Sequence, residues 1–270
     1  MQKSIAGFFL LFSLIGAQTM YGQYSDPMSS VNYIAIDTAP AACINWNSEP
    51  VKKVFPYKIL LVPSAMIAYG ITSLKSDGLQ DLNEKIKDEL WAEHAHGRKH
   101  IDNYLHFAPA IAVYGLNLAG IKGKNNFKDR TIIYGISTVI MSSMVFSVKK
   151  LSKEMRPDGS DSYSFPSGHT ASAFAAAEFM RQEYKDVSPW YGVAGYAAAA
   201  ATGYLRMYNN KHWLSDVVAG AGIGILSTDL AYYIYPSIKR MFSKKQDLST
   251  IILPSYQNKT FGIGLVHTFK

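Results

Sequence analysis

Three separate clusters of the sequence carry residue types suited to phosphate chemistry. They contain three cations, two histidines and one carboxylate: Lys149, Arg156, Arg206, His169, His212 and Asp216. Such cations can hold a tetrahedral oxyanion, the arginines as planar forked donors and the lysine as a point charge. Of the two histidines, one can attack phosphorus and the other can donate a proton. This set of side chains therefore predicts a phosphate-transfer site.

The third cluster supplies a nucleophile and its orienting group. Asp216 follows His212 by four positions, so on a helix the two side chains share a face and can touch. The carboxylate would accept from one imidazole nitrogen and fix the tautomer, which leaves the other nitrogen free to attack. Such a pair on its own is more often a local hydrogen bond. Its combination with the other clusters favours a catalytic role.

The second cluster resembles a helix start. Pro166-Ser167-Gly168-His169 precedes an apolar run of small residues. Gly168 allows close backbone approach, and the first free N–H groups of a helix point at an anion. His169 would then stand beside the phosphate, placed to protonate a leaving oxygen.

The first cluster spans two helical turns. Lys149 and Arg156 are seven positions apart, so both can face one pocket if the helix continues between them. Pro157 works against that, because the residue before a proline is pushed toward extended conformations.

Together the clusters resemble a known family. The motifs are Lys149-x6-Arg156-Pro157, Pro166-Ser167-Gly168-His169 and Arg206-x5-His212-x3-Asp216. In this order and at this spacing they resemble the type 2 phosphatidic-acid phosphatase superfamily, which also contains bacterial acid phosphatases and vanadium haloperoxidases. The resemblance covers roughly residues 105–235.

The resemblance implies a role for each matching residue. His212 would form a phosphohistidine, Asp216 would orient it, and His169 would be the general acid. The implied phosphate-binding residues are Lys149, Arg156, Ser167, Gly168 and Arg206. One departure is Leu205, where the family usually has Ser before the arginine of the third motif. It removes a hydroxyl from the pocket rim and leaves the chemistry unchanged.

Apolar segments of helical length must position these residues. They predict an all-α helical bundle within a phosphatase domain at 57–240, and they cover 58–74, 106–121, 131–148, 170–181, 190–206 and 216–235. Between the first two, Leu79 to Leu105 carries apolar residues at helical spacing and predicts an amphipathic helix. In the tail at 241–270, two short strands flanking Pro254 and Asn258 predict a β-hairpin.

The N-terminal residues predict export. Residues 1–22 carry Lys3 and then an apolar stretch of secretory length, which is typical of a signal peptide. An uncleaved anchor helix is the alternative. Residues 23–56 are polar, without clear periodicity, and predict an extended lead-in. The expected location is the periplasm or cell envelope.

Whether the helices span a bilayer is a separate question. A mean hydropathy of −0.01 and segments mostly shorter than the ~20 residues of a span argue against it. Lysine and arginine in alternate connections fit a six-span protein with its N-terminus inside. A cleaved signal peptide would reverse that orientation. Exported helices that pack on one another at the membrane remove the conflict and are the preferred prediction.

The composition limits which binding partners and cofactors are expected. A net charge of +7 without a nucleic-acid motif favours an anionic membrane surface or a phosphorylated substrate over nucleic acid. The single Cys43 excludes an internal disulfide. The histidines at 94, 96, 100 and 106 lack a zinc signature and predict a solvated polar face. No metal or cofactor is predicted, because the cations and the helix N-terminus supply the charge.

The predicted function is a metal-independent phosphatase that cleaves a lipid phosphate in two steps. Phosphatidic acid, phosphatidylglycerophosphate, prenyl diphosphate and lipid A phosphate are the substrate types expected. Trp213, beside His212, is a candidate to line the path of an acyl or prenyl chain. The alternatives are a soluble phosphomonoester as substrate, a vanadate-dependent haloperoxidase, and a non-catalytic anion- or lipid-binding protein.

Overall fold

The described part of the chain is mainly helical. The computed structural model describes residues 57–92, 97–242, 250–257 and 260–267. The helices are α1 Lys58–Ser73, α2 Asp77–Lys87, α3 Asp102–Leu105, α4 Ala108–Leu118, α5 Phe127–Ser152, α6 Gly168–Tyr184, α7 Pro189–Tyr208 and α8 Leu214–Phe242. A π-helical turn, Asp88–Ala92, directly follows α2. The predicted all-α class is confirmed, while the predicted signal peptide and lead-in lie outside the described residues.

The chain divides into two units, Met1–Ala231 and Tyr232–Lys270. The second unit contains the end of α8 and an antiparallel hairpin of β1 Thr250–Gln257 and β2 Thr260–His267. The hairpin is present as expected, but Pro254 lies inside β1, opposite Ile263, and not between the strands. A two-stranded pair tolerates proline because each strand has a free edge. The predicted domain bounds stay a prediction.

Helix α6 forms the centre of the first unit. Its alanines are almost fully inaccessible to solvent: Ala171, Ala173, Ala175, Ala176 and Ala177. Helix α8 approaches this face through two glycines. A Cβ on Gly220 would lie 2.5 Å from the backbone oxygen of Ser167, and one on Gly224 would overlap the oxygen of Ala171. Small residues four apart allow such backbone contact, and this contact sets the start of α6 against the start of α8.

The amphipathic helix predicted over Leu79–Leu105 is shorter than expected. The π-helical turn ends at Ala92, residues 97–101 are not helical, and the short α3 begins at Asp102. Part of the connection is fixed by the end of α7. The Lys99 N–H donates to Asn209 Oδ1 at 2.8 Å, and Asn209 Nδ2 donates to the Lys99 carbonyl at 2.7 Å. These backbone groups bond a side chain, so they do not continue the helix.

Two described helices are long and apolar enough to cross a membrane. They are α5 with 26 residues and α8 with 29, whose most apolar stretches have mean hydropathies of 1.7 and 1.5. The segments Ile59–Ser73 and Asp77–Ala92, bent by 94°, would count as a third span if taken together. Within these stretches, 22% of α5 and 72% of α8 is buried by the protein itself.

Candidate active site

The structure brings His212 and Asp216 together as predicted. His212 Nδ1 lies 3.2 Å from Asp216 Oδ2, and both side chains are buried. The expected shared helical face is not the reason, because α8 begins at Leu214, after the histidine. Asp216 lies in the first turn and its Oδ2 also accepts from the Trp213 N–H at 2.9 Å. A carboxylate that reaches back to the residue before the helix is a capping arrangement.

His212 is held as a neutral base. Burial is the main cause that lowers its pKa to about 4, and the cations of Arg206 and Lys149 add to this effect. The hydrogen bond to Asp216 opposes it. With its Nδ1–H donating to the carboxylate, the unprotonated Nε2 carries the lone pair of the ring. This tautomer is the one that a nucleophile needs.

A serine that the motifs did not include also contacts the Asp216 carboxylate. Ser164 Oγ donates to Asp216 Oδ2 and lies 3.5 Å from His212 Nδ1. Its own backbone oxygen accepts from Lys149 Nζ at 3.1 Å. Ser164 thus links the dyad to one of the predicted phosphate-binding cations.

The cations of the first motif come from a helix end and the following loop. Helix α5 does not continue to Arg156 as the spacing allowed, because Lys153 adopts a left-handed conformation with φ 48°. Lys149 lies in the last turn, and Arg156 lies in the loop with its Nε 2.8 Å from Asp161 Oδ1. Arg156 is still near enough to Arg206 to help lower its pKa. The three predicted cations therefore converge.

Arg206 is the buried member of this group. It stands near the end of α7, with Nη1 donating to Asp102 Oδ2 at 2.7 Å. Burial is the main cause that lowers the pKa of its guanidinium, and the Asp102 carboxylate opposes it. Its Nε is buried and has no partner in the described part of the chain. That N–H remains available to an anion.

His169 faces the cluster from the start of α6. Its Nε2 lies 3.2 Å from Asn103 Oδ1, and its ring centre lies 4.8 Å from that of His106. Burial is the largest cause that lowers the His169 pKa to about 4, followed by the charge of Arg206. A bound phosphate would work in the opposite direction, since a nearby negative charge favours the imidazolium. Binding of the phosphate would therefore protonate His169, and the imidazolium could then act as a general acid.

The remaining residues of the second motif form the beginning of α6. Ser167 is the N-cap, and its buried hydroxyl bonds Thr170 Oγ1 at 2.8 Å, while its N–H donates to the Asp216 carbonyl at 3.0 Å. Gly168 is the first helical residue. It borders an open groove of about 550 Å³ along α5, lined by Met141, Ser142, Ser143, Val145, Phe146 and Lys149. Direct phosphate contact by Ser167 stays a prediction.

Four residues near the site were absent from the motif-based prediction: Asp102, Asn103, Glu154 and Ser164. Asp102 and Asn103 meet Arg206 and His169 across more than 60 positions, and no spacing rule connects residues so far apart. Glu154 and Ser164 stand two residues before Arg156 and Pro166. Their proximity to the motifs in sequence was the one feature that could have marked them as candidate site residues.

The predicted polar face of histidines is only partly described. His94 and His96 lie outside the described residues, and His100 is exposed. His106 packs against His169 and has its Nδ1 3.1 Å from Ser172 Oγ. Within the described ranges, no group of three or more His, Cys, Asp or Glu residues could hold a metal ion.

Comparisons with known proteins support the resemblance. Residues 142–240 match the family model of the PAP2 superfamily. This confirms the resemblance that the motifs indicated. The chain is also 32% identical over 240 residues to the lipid A 1-phosphatase of Porphyromonas gingivalis, a match that covers 86% of this chain and 51% of the relative. The chain thus spans about half the length of that curated relative.

Two solved structures are also similar to the chain at 19% identity. One is the transmembrane PAP2 type phosphatidylglycerolphosphate phosphatase from Bacillus subtilis, with a TM-score of 0.48 over 66% of this chain and 98% of that one. The other is LpxE of Aquifex aeolicus, with a TM-score of 0.42 over 57% of this chain and 94% of that one.

Proposed function

We propose that the chain is a phosphatase that hydrolyses a lipid phosphate through a phosphohistidine on His212. The observation that carries the proposal is the buried contact of 3.2 Å between His212 Nδ1 and Asp216 Oδ2. The pair lies close enough to Lys149 and Arg206 for both cations to lower the histidine's pKa. A neutral imidazole beside a cationic pocket suits attack on a phosphate.

The proposed reaction has two steps. In the first, His212 Nε2 attacks phosphorus, the bond to the leaving oxygen breaks, and His169 gives its proton to that oxygen. In the second, water attacks the phosphohistidine, the P–N bond breaks, and His169 takes a proton from the water. The products are the dephosphorylated lipid, inorganic phosphate and the free histidine. Lys149, Arg156 and Arg206 stabilise the charge on the transferring group throughout.

The lipid assignment is supported by the surface around the site. The open groove beside Gly168 follows α5, and its wall includes Phe146, which is 61% exposed. Val139 and Leu151 on the same helix are also exposed. Large apolar side chains that are exposed on the surface are suited to contact with acyl chains. The curated relative is named as a lipid A 1-phosphatase, which points to the same substrate class.

We also propose that α5 contacts the bilayer directly. The apolar stretch of this 26-residue helix is only 22% buried by the protein. An apolar helix of that length with most of its surface uncovered fits a membrane span. This observation favours insertion in a membrane of the cell envelope over the packed, exported form that the sequence favoured.

The test is phosphate release from the purified protein in detergent, measured on matched lipid and soluble phosphates. We expect release from the lipids, its loss in His212→Ala, and its retention in His100→Ala, which alters an exposed histidine. Release from soluble phosphates alone would replace the lipid assignment with an acid phosphatase. Halide oxidation with vanadate and peroxide would indicate the haloperoxidase. A folded protein without any phosphate release would overturn the proposal.

A further inference from the structure

A second carboxyl group lies beside the catalytic aspartate. Glu154, in the loop after α5, is linked to Asp216 through Ser164: the Glu154 carbonyl accepts from the Ser164 N–H at 2.9 Å, and the Ser164 hydroxyl donates to Asp216. One oxygen of each residue, Glu154 Oε2 and Asp216 Oδ1, is buried and has no partner among the described residues. Two ionised carboxylates are acceptors only and cannot satisfy each other. If one of them carries a proton, both orphaned oxygens are satisfied by a single hydrogen bond.

The surroundings indicate which of the two holds the proton. Asp216 Oδ2 already faces three donors, the Nδ1–H of His212, the N–H of Trp213 and the hydroxyl of Ser164, and these favour a charged carboxylate. Glu154 lacks such a set. Burial is the main cause that raises its pKa to about 8, the charge of Asp216 adds to this, and Lys149 opposes it.

We propose that Glu154 is a positioning residue that stays protonated and donates from Oε2 to Oδ1 of Asp216. This inference rests on the proposed function and adds a means of orienting the same dyad. The bond fixes the carboxylate plane, so that Oδ2 remains directed at His212 Nδ1. Glu154 itself touches neither the phosphate nor the attacking nitrogen.

The proposal gives the reaction a pH limit. The charged and titratable groups that face Glu154 are Lys149 from α5, Asp216 from α8 and, behind Asp216, His212. When pH rises through about 8, Glu154 ionises. A second negative charge then lies beside Asp216, repels the phosphate and competes for Lys149. The active form is the protonated one, so activity is present below this pH and lost above it.

Kinetics of two variants test the role. Glu154→Gln keeps a donor and cannot ionise, whereas Glu154→Ala removes the bond. We expect Glu154→Ala to lower kcat on the order of tenfold with little change in KM. Glu154→Gln should restore most of that loss, and its alkaline fall near pH 8 should be smaller than that of the wild type. Glu84→Gln, at an exposed position, should behave as wild type. A pH profile of Glu154→Gln identical to that of the wild type would overturn the proposal.

Infrared spectroscopy tests the proton without turnover. The difference spectrum between the wild-type protein and Glu154→Gln should show the carbonyl band of a protonated acid below pH 8, and this difference should disappear above it. Equal spectra for the two proteins below pH 8 would contradict the inference. If phosphate release fails but the band is found, the proposed function falls and the protonation of Glu154 stands. If release is found and the band is missing, only the role of Glu154 falls.

Discussion

Asp102 accepts a hydrogen bond of 2.7 Å from Nη1 of Arg206, 104 positions further along the chain. The next residue, Asn103, has its Oδ1 3.2 Å from Nε2 of His169. The short helix α3 therefore contacts one site residue on α6 and one on α7. Because Asp102 and Arg206 are both buried, this contact fixes the guanidinium, while its Nε has no partner among the described residues.

Replacing Asp102 by alanine should destabilise the fold and weaken phosphate binding. A buried cation that loses its counter-charge costs about 3–5 kcal/mol. Asp102→Asn keeps the shape and should lie between wild type and Asp102→Ala. Denaturant unfolding and KM measure the two effects. Asp186→Ala, at an exposed position, is the control, and equal losses in both alanine variants would contradict the importance of this ion pair.

Asp216→Asn should lower kcat and leave KM nearly unchanged. The amide preserves an oxygen for the Trp213 N–H but no longer fixes the tautomer of His212. The loss is expected to be on the order of 10²- to 10⁴-fold. Steady-state kinetics on a lipid phosphate measure it. A rise in KM at constant kcat would show that Asp216 binds substrate and does not orient the nucleophile.

Binding of vanadate should take up a proton at neutral pH. His169 has a pKa of about 4 in the free protein and is neutral. An anion beside it raises that pKa, so the complex holds a proton that the free site lacks. Calorimetry in buffers of different ionisation enthalpy measures the uptake. His169→Asn should abolish it, and an unchanged uptake in that variant would remove His169 from the role of general acid.

Much of the site was predictable because its residues are local in sequence. Ser167 to His169 begin a helix as the sequence predicted. His212 and Asp216 are close in sequence and meet as expected, although the contact comes from Asp216 reaching back to cap α8 and not from a shared helical face. The end of α5 at Ser152 was not predicted, because the left-handed conformation of Lys153 is set by context and not by residue type. The Asp102–Arg206 contact is a product of tertiary packing, and no period in the sequence encodes it.

The helical class was predictable from apolar periodicity, but the lengths of the helices were not. Leu79 to Leu105 carries helical spacing, yet residues 97–101 are not helical. The side chain of Asn209, at the end of α7, forms hydrogen bonds with the backbone N–H and carbonyl of Lys99. These bonds replace helical ones, and they depend on a tertiary contact that the local sequence does not encode.

Gly220→Ala should destabilise the protein and displace the start of α6. The added methyl would lie 2.5 Å from the Ser167 oxygen, which is backbone and cannot rotate away. A loss of about 1–3 kcal/mol is expected. Gly135→Ala, in an open position on α5, is the matched control and should be neutral or stabilising by up to about 1 kcal/mol. Equal stability of the two variants would show that α6 and α8 do not meet at Gly220.

The most direct test of the central claim is detection of phosphate on His212 during turnover. The protein is mixed with a lipid phosphate, quenched under alkaline conditions that preserve phosphohistidine, digested and examined by mass spectrometry. The peptide that contains His212 should carry one phosphoryl group, and the same peptide from His212→Ala should carry none. A fully active protein without this modification, or with the phosphoryl group on another residue, would contradict the mechanism.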